Sequence, residues 1–501
     1  MKKQEKNYLD QRAAGILMPI FSLPSPYGIG TLGRAAYEFI DELKEAGQTY
    51  WQVLPVGPTS FGDSPYQSFS AFAGNPYFID LDMLVEEGLL EKQEVDSVDW
   101  GANPQDIDYA LLYEKRFPVL RRAFARSSHR EESAYRTFLK KNRYWLADYS
   151  LYMALKFAHQ GQEWQLWEQD LAFRDKKAIR EAMTTYQEDM EFWMFCQYKF
   201  FRQWKALKKY AGKRKIRIIG DIPLYVSMDS ADVWAHPDLF ELDERRRPIN
   251  IAGVPPDCFS EDGQRWGNPL YRWDVMEADG FDWWARRMKA NADLYDVIRI
   301  DHFIGIVNYW SIPASCPTAI DGTWRKGPGR KLTDVIAAAT PKADIIAEDL
   351  GVVGPKVRRL IQKTGWPGMK ILEFAFDGDA ANEYLPHHYE SANCLVYGGT
   401  HDNETLMGYY GVKKKKDLEF LMDYLHIKKK EQIPWAMIRA AYSSIANNAI
   451  FQMQDILKLD NKARINLPSS VGQNWRWRML PGAFTQKHQK KLKKYCRIYS
   501  R

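Results

Sequence analysis

The stretch VIRIDHFIG, residues 297–305, joins the pattern of a buried strand to a group of charged side chains. Its apolar residues predict a strand, yet Arg299, Asp301 and His302 lie within it or directly after it. Continuous apolar runs of this kind are typical of parallel strands that are covered on both faces. Polar groups at the end of such a strand predict a functional site at that end of the sheet.

Similar runs recur along the chain and are separated by stretches with helical periodicity. Together with the stretch above they lie at 15–20, 50–56, 216–226, 295–303, 343–350, 368–376 and 394–403. Strands that alternate with helices predict an α/β fold, and seven of them with an eighth expected near the C-terminus favour a closed (β/α)8 TIM barrel over an open sheet.

The domain organisation follows from the spacing of these runs. Residues 57–215 separate the second and third runs and have helical periodicity, which predicts a large, mainly helical insertion. Because no linker rich in Pro, Gly or Ser brackets the insertion, we expect residues 1–501 to form a single barrel domain. The composition, 45% hydrophobic and 27% charged, is that of a globular protein with a large core.

Several classes of protein are disfavoured by composition. The N-terminal residues lack the apolar segment of a signal peptide, and no apolar run has the length of a membrane span. The five cysteines lie far apart, as in a protein of the reducing cytoplasm. The net charge is +6, and the basic runs at 413–416 and 487–494 are typical of solvated helix faces. We therefore expect a cytoplasmic protein, a monomer or weak homo-oligomer, without nucleic-acid or membrane partners.

Polar residues follow five successive predicted strands. In a barrel these strand ends surround one shared opening, which is where active sites of this fold lie. A single Asp at a strand end more often caps the next helix, but capping does not explain five strands in a row. The residues concerned are Asp221, Arg299, Asp301, Glu348, Asp349, Glu373, Asp377, His401 and Asp402.

Carboxylates around one opening suit two kinds of chemistry. Glycoside cleavage needs one carboxylate as nucleophile and a second carboxyl group as general acid. Metal-assisted hydrolysis or phosphoryl transfer would use carboxylates and histidines as ligands, but the chain has no established metal-binding spacing and no phosphate loop. The 18 tryptophans favour a sugar site, because flat apolar side chains bind sugar rings; Trp266 and Trp310 are the candidates near loops.

Long blocks of the sequence resemble the 4-α-glucanotransferases of the amylomaltase or disproportionating-enzyme type, glycoside hydrolase family 77. The resemblance runs nearly from end to end and is specific, because many blocks occur in the same order. They include SPYQSFSAFAGNPYFIDL (64–81), GDIPLYV (220–226), GVPPDCFSEDGQRWGNPLY (253–271), RIDHFIG (299–305), AEDLG (347–351), PGMKILEFAFD (367–377), THDNET (400–405) and RINLPSSVGQNWRWR (464–478).

The resemblance implies roles for three carboxyl groups. Asp301 corresponds to the nucleophile that forms a covalent glycosyl-enzyme with an α-1,4-linked glucose. Glu348 corresponds to the general acid, which protonates the departing oxygen and then acts as base on the acceptor. Asp402 corresponds to the third carboxylate, which binds sugar hydroxyl groups and supports the distorted ring.

The resemblance also implies substrate-binding residues around these three. Arg299 would keep the nucleophile ionised and oriented, and His401 would donate to the same sugar ring. Asp221 and Asp377 match positions that line the opening, and Tyr66 matches a residue that shapes the groove between donor and acceptor. For His302, strand alternation predicts a side chain that points away and has a structural role.

One segment is implied to move. Residues 253–271 resemble a mobile loop that covers the acceptor side, where Phe259 and Trp266 would contact the glucan. Relatives commonly carry Tyr at the position of Cys258. At this position the chain therefore departs from the aromatic contact that the resemblance implies between loop and glucan.

The implied activity is transfer of α-1,4-glucan segments between maltooligosaccharides, amylose or other α-1,4-glucans, with no cofactor and no metal. An α-amylase-like hydrolase is the alternative within the class, because only the acceptor differs. A glucan-binding scaffold without activity is disfavoured because Asp301, Glu348 and Asp402 are all present.

Overall fold

The computed structural model describes residues 8–256, 260–351 and 353–501. Within these ranges the strands are β1 (Ala13–Leu17), β2 (Tyr50–Gln52), β3 (Arg217–Ile222), β4 (Asn250–Val254), β5 (Gln264–Pro269), β6 (Val297–Ile300), β7 (Asn308–Pro313), β8 (Thr323–Lys326), β9 (Asp344–Ala347), β10 (Gly368–Ile371), β11 (Cys394–Tyr397) and β12 (Asn448–Gln452).

The helices lie between these strands and cover the outside of the sheet. They are α1 (Arg34–Glu45), α2 (Leu81–Glu86), α3 (Lys92–Asp96), α4 (Tyr109–Arg126), α5 (Ser133–Ala158), α6 (Gln169–Ala172), α7 (Lys176–Thr185), α8 (Gln187–Lys213), α9 (Ala231–Ala235), α10 (Trp273–Ala278), α11 (Asp282–Leu294), α12 (Arg330–Ala339), α13 (Pro355–Thr364), α14 (Leu406–Val412), α15 (Lys415–Tyr424), α16 (Ile433–Ser443), α17 (Met453–Leu457) and α18 (Gln486–Tyr499). Within the described ranges, none of them is long and apolar enough to cross a membrane.

Eight parallel strands form the barrel, in the order β1-β2-β3-β6-β9-β10-β11-β12, and β12 pairs with β1 to continue the ring. The predicted (β/α)8 fold is therefore confirmed, and the missing eighth strand is β12. Its sequence, NAIFQ, has only three apolar residues between polar ones, so it does not stand out as a buried strand. Asn448 on this strand is buried, and its side-chain amide donates a hydrogen bond to the backbone carbonyl of Leu9 at 2.8 Å, which compensates for the burial of this polar group.

The strands β9 and β10 are not joined by a regular ladder of backbone hydrogen bonds, and a few individual hydrogen bonds link them instead. The amide of Ala347 donates to the carbonyl of Pro367 at 3.0 Å. Next to it the carboxylate of Asp349 accepts a hydrogen bond from the amide of Met369 at 2.7 Å. Asp349, which the sequence places at a strand end, thus joins two strands of the barrel.

The alternation along β6 sets the direction of the functional side chains. Val297 packs in the barrel interior with Ile219 and Ile346, whereas Ile298 and Ile300 belong to the core between sheet and helices. Since successive side chains point to opposite faces, Arg299 shares the inner face with Val297. The strand is buried along its whole length.

Residues 57–215 contain α2 to α8, and the two longest helices, α5 and α8, pack against each other.

The sequence prediction treated residues 253–271 as a loop. In the structure β4 and β5 lie in this segment or overlap it and pair antiparallel, and β7 and β8 extend them to a four-stranded sheet beside the barrel. Trp310 lies in this sheet, on β7, with its ring edge-on to Trp324 at 5.3 Å.

Gly368→Ala tests the closure between β9 and β10. A Cβ at this position would lie 2.4 Å from a carboxylate oxygen of Asp349, so the contact that joins the strands has to shift. We expect the free energy of unfolding to fall by about 1–3 kcal/mol, as for other overpacked sites. Urea unfolding followed by circular dichroism measures it.

Gly212→Ala is the matched control, because nothing lies within 4 Å of its Cβ position in α8. This change should stabilise the protein slightly, since Ala is the better helix former. Equal stability of the two variants would show that Asp349 does not fix this junction.

Candidate active site

A buried ion pair lies at the C-terminal end of the barrel interior. Asp221 on β3 and Arg299 on β6 are direct neighbours across the two strands. Nη1 of Arg299 donates to both carboxylate oxygens of Asp221, at 2.8 and 2.7 Å. The side chains are 0% and 4% exposed, so neither charge could be buried without the other.

Asp301 also accepts a hydrogen bond from the guanidinium of Arg299. The distance from Nη1 of Arg299 to Oδ1 of Asp301 is 3.0 Å, and the carboxylate is 26% exposed at the opening of the barrel. Burial raises the pKa of Asp301 well above its usual value, the positive charge of Arg299 opposes this, and the nearby carboxylates of Asp221, Glu348 and Asp402 add to the rise. Arg299 therefore holds an outward-facing carboxylate in place and favours its ionised form.

Glu348 follows β9, the neighbouring strand, and has a different environment. Its carboxyl group is buried and accepts hydrogen bonds from the amides of His302 at 2.6 Å and Leu350 at 2.8 Å. Burial raises the pKa of Glu348, whereas Arg299 and the two amides lower it. Among the described residues, no cationic side chain donates a hydrogen bond to Glu348. The two carboxyl groups therefore differ in their donors: Asp301 is bonded to a guanidinium and Glu348 to backbone amides.

His302 takes part in the site through its backbone. The expectation that strand alternation continues to this residue is wrong, because β6 ends at Ile300 and His302 has a φ of 52°. This turn directs its amide to Glu348. Burial lowers the pKa of the imidazole to about 4, so the ring is neutral at pH 7 and lies edge-on to Trp266, 4.8 Å away.

Asp402 faces the opening from the loop after β11. Its carboxylate is 44% exposed and lies 3.3 Å from Nε2 of His401. The side-chain amide of Asn466 donates to the same oxygen at 2.7 Å, and the guanidinium of Arg464 donates to the backbone carbonyl of Asp402 at 2.6 Å. The sequence prediction missed Asn466 and Arg464, although both belong to the block RINLPSS; neither follows a strand, so position gave no signal.

Tyr66 connects the two sides of the opening. Its hydroxyl group donates to Asp221 at 2.8 Å, and its ring stacks on His401 with centroids 5.0 Å apart. Trp475, which is buried, lies 5.8 Å from the ring of Tyr66. Burial lowers the pKa of His401 and the nearby Asp402 raises it. The insertion and the C-terminal loop therefore both reach the strand-end carboxylates.

Two predicted residues are placed differently. Asp377 is exposed, and its carboxylate accepts hydrogen bonds from Asp379 at 3.0 Å and Asn382 at 2.9 Å within its own loop. Glu373 is buried beneath the glycine pair that precedes His401, and burial raises its pKa well above the usual value. Phe259 and Cys258 lie outside the described residues.

The arrangement supplies two carboxyl groups with unlike environments on neighbouring strands. Asp301 contacts a guanidinium and faces outward, whereas Glu348 is buried against backbone amides. A pair of this kind can act as nucleophile and general acid in glycoside cleavage. Searched over the part of the chain that the structure describes, His, Cys, Asp and Glu form no group that could hold a metal ion.

Comparison with known proteins agrees with this chemistry. A family model described as 4-alpha-glucanotransferase matches residues 18–484. The 4-alpha-glucanotransferase of Clostridium butyricum is 48% identical over 97% of this chain and 100% of that protein. The corresponding protein of Thermus thermophilus is also 48% identical, over 96% of this chain and 97% of its own.

Solved structures give the same result. Amylomaltase from Streptococcus agalactiae in complex with acarbose matches with a TM-score of 0.95 and 41% identity, over 98% of this chain and 100% of that one. Amylomaltase from Corynebacterium glutamicum shares the fold, with a TM-score of 0.79 at 19% identity over 97% of this chain and 75% of its own.

Asp221→Asn tests the dependence of the site on the buried ion pair. The amide keeps the shape of the side chain but leaves the guanidinium of Arg299 with less compensation, so we expect the free energy of unfolding to fall by about 3–5 kcal/mol. Chemical denaturation measures this. Asp274→Asn is the control: its ion pair with Arg272 is solvent-exposed and should leave stability almost unchanged. Equal stability of the two variants would contradict the assigned role of the pair.

Proposed function

Because the chain belongs to the 4-alpha-glucanotransferase family, we propose that Asp301, Glu348 and Asp402 carry out its reaction. The protein is a 4-α-glucanotransferase, which moves α-1,4-glucan segments between maltooligosaccharides with retention at the anomeric carbon. The observation that carries the assignment of roles is the position of Arg299: its guanidinium donates hydrogen bonds to Asp301 and Asp221, and Glu348 is bonded to backbone amides instead.

In the first step a carboxylate oxygen of Asp301 attacks the anomeric carbon of the donor. The bond from that carbon to the 4-oxygen of the next sugar breaks, and this oxygen takes the proton of Glu348. In the second step Glu348 takes the proton of the acceptor's 4-hydroxyl group, whose oxygen attacks the anomeric carbon and releases Asp301. Two inversions at one carbon give net retention.

The residues around these two carboxyl groups bind the sugar. Asp402, held by Asn466 through one oxygen, presents its other carboxylate oxygen to sugar hydroxyl groups, and His401 lies beside it. Tyr66 fixes the wall between donor and acceptor through its contacts with Asp221 and His401. A carboxylate anchored in this way is set for the transition state without further reorganisation.

We assign the acceptor side to the segment 253–271. Trp266 lies against His302, whose amide donates to the general acid, so this strand borders the leaving-group side. Phe259, in the same segment, would add an apolar face that holds an acceptor sugar and excludes water. Phe259 and Cys258 lie outside the described residues; with Cys258 where relatives commonly carry Tyr, Phe259 would supply a larger share of that contact. Asp377 is assigned to more distant sugar units, since it is exposed on the loop after β10.

The working environment is part of the same proposal. Five widely spaced cysteines fit the reducing cytoplasm, and we propose that the enzyme acts there as a monomer or weak homo-oligomer. Gel filtration with light scattering measures the oligomeric state.

Incubation with maltotriose separates transfer from hydrolysis. Transfer yields glucose together with a ladder of longer oligosaccharides, because the glycosyl-enzyme passes its sugars to another maltotriose. Product lengths are resolved by chromatography. Glucose and maltose alone would identify the protein as a hydrolase. This result would contradict the proposal that the glycosyl-enzyme reacts with a sugar acceptor rather than with water.

Asp301→Asn should abolish formation of the glycosyl-enzyme, because an amide oxygen is a poor nucleophile. We expect the rate of maltotriose disproportionation to fall by at least ~10⁴-fold, which corresponds to about 5.5 kcal/mol. Initial rates of glucose release measure it. Activity within tenfold of the unmodified enzyme would remove Asp301 from the mechanism.

Glu348→Gln should separate the two kinds of donor. Maltooligosaccharides need a proton on the leaving oxygen and should react very slowly, whereas an α-glucosyl fluoride needs none and should still glycosylate Asp301. Intact-protein mass spectrometry should then detect the accumulated glycosyl-enzyme.

The rate of the unmodified enzyme on maltotriose should fall as the pH rises through the raised pKa of Glu348, because the general acid then loses its proton. Equal losses with both donors would assign Glu348 another role.

A further inference from the structure

A second cleft lies outside the barrel interior, between α5, α9 and the start of α11. Its volume is about 240 Å³, which is below the ~300–1,000 Å³ of pockets for drug-sized ligands and suits a single small ring. Asp301, Glu348 and Asp402 do not line it. The cleft is therefore distinct from the site described above.

Aromatic side chains form the inner surface of this cleft. The ring of Phe72 lies parallel to Trp145 at 6.3 Å and edge-on to Tyr144 at 5.5 Å and to Trp283 at 6.0 Å. Phe72, Trp145 and Trp283 are buried, and Tyr144 is half-buried towards the rim. The three buried rings hold one another in fixed orientation, and the half-buried ring of Tyr144 offers an apolar face at the rim.

Polar groups surround the aromatic surface. Asp232 is buried, and one of its oxygens accepts a hydrogen bond from the amide of Ala71 at 2.7 Å. Trp283 is only 6% exposed, and its indole N–H has no hydrogen-bond partner of normal geometry among the described residues, although it lies near Asp232. Asp282 and Arg286 form an exposed ion pair at the rim. An indole N–H beside a buried carboxylate, in a long contact with it, can bind a group that both donates and accepts hydrogen bonds.

We propose that this cleft binds one sugar unit of an α-glucan at a distance from the catalytic carboxylates. Flat apolar faces with carboxylate and N–H groups at their edge match a pyranose ring, whose hydroxyl groups donate and accept while its C–H faces stack. A metal ion is the weaker occupant, because the described acidic and histidine side chains form no metal-binding group.

The cleft is attached to the catalytic opening by one segment of chain. Ser70 and Phe72 line it on one side and on the other line a smaller cavity of about 50 Å³ that also touches Tyr66 and Asp221. Ser70 fixes this wall, since its hydroxyl group accepts hydrogen bonds from the amides of Phe72 at 3.1 Å and Ala73 at 3.3 Å. The cleft and the small cavity beside Tyr66 therefore share one wall. The inference rests on the proposed function and names a further binding site for the same substrate.

Ala235→Trp tests the cleft by filling it. Ala235 lines the cleft at the last position of α9 and is half-buried. Binding of maltoheptaose is measured by isothermal titration calorimetry in the Asp301→Asn background, which prevents turnover. We expect two classes of site per chain when Ala235 is retained and one class in the protein that also carries Ala235→Trp. The same number of sites in both proteins would overturn the proposal.

Ala339→Trp is the matched control, because Ala339 is the half-buried last residue of α12 and lies outside the cleft. It should keep both classes of site. If circular dichroism shows that Ala235→Trp does not fold, Tyr144→Ala replaces it and should weaken the second class at least fivefold; unchanged binding would overturn the proposal.

A kinetic readout separates this inference from the proposed function. With Asp301 intact, Ala235→Trp should raise the KM for amylose at least threefold and leave the rate on maltotriose unchanged. Absence of transfer from maltotriose in the unmodified enzyme would defeat the proposed function itself. Normal transfer together with an unchanged KM for amylose would defeat the cleft alone.

Discussion

The ion pair between Asp221 and Arg299 is the contact that makes the other parts of the site possible. It places a positive charge in the barrel interior, where an unpaired guanidinium would be strongly unfavourable. Asp221 compensates that charge from the neighbouring strand, and both of its carboxylate oxygens accept from Nη1 of Arg299. The same nitrogen also donates to Asp301 at the opening. A core position thus becomes the support of a reactive carboxylate.

The position of this charge also divides the carboxyl groups into two kinds. Asp301 contacts the guanidinium directly, while Glu348 is buried on the next strand against two backbone amides. The turn at His302 supplies one of these amides, and its imidazole is neutral at pH 7, so it brings no second positive charge to Glu348. The two carboxyl groups therefore have unlike donors at one end of the barrel, as the proposed roles require.

The opening is completed by parts of the chain that do not belong to the barrel strands. Tyr66 comes from the segment after β2, Trp266 from the antiparallel sheet, and Asn466 from the C-terminal loop. Each touches a strand-end residue, and the added segments also contact one another, as Tyr66 does Trp475. In the proposed function the strands supply the reacting carboxyl groups and the added segments line the sugar site.

The barrel and its strand-end carboxylates could be predicted from the sequence, because continuous apolar runs and the residues that follow them are local patterns. The sequence did not show β12, whose apolar run is short, or the end of β6 before His302, because a left-handed turn at a histidine has no strong local signal. The folded chain was needed to show that Asn466 holds Asp402 while Asp377 bonds within its own loop. These contacts join residues far apart in the chain, or depend on the direction in which a loop leaves its strand, and neither is fixed by neighbouring residues.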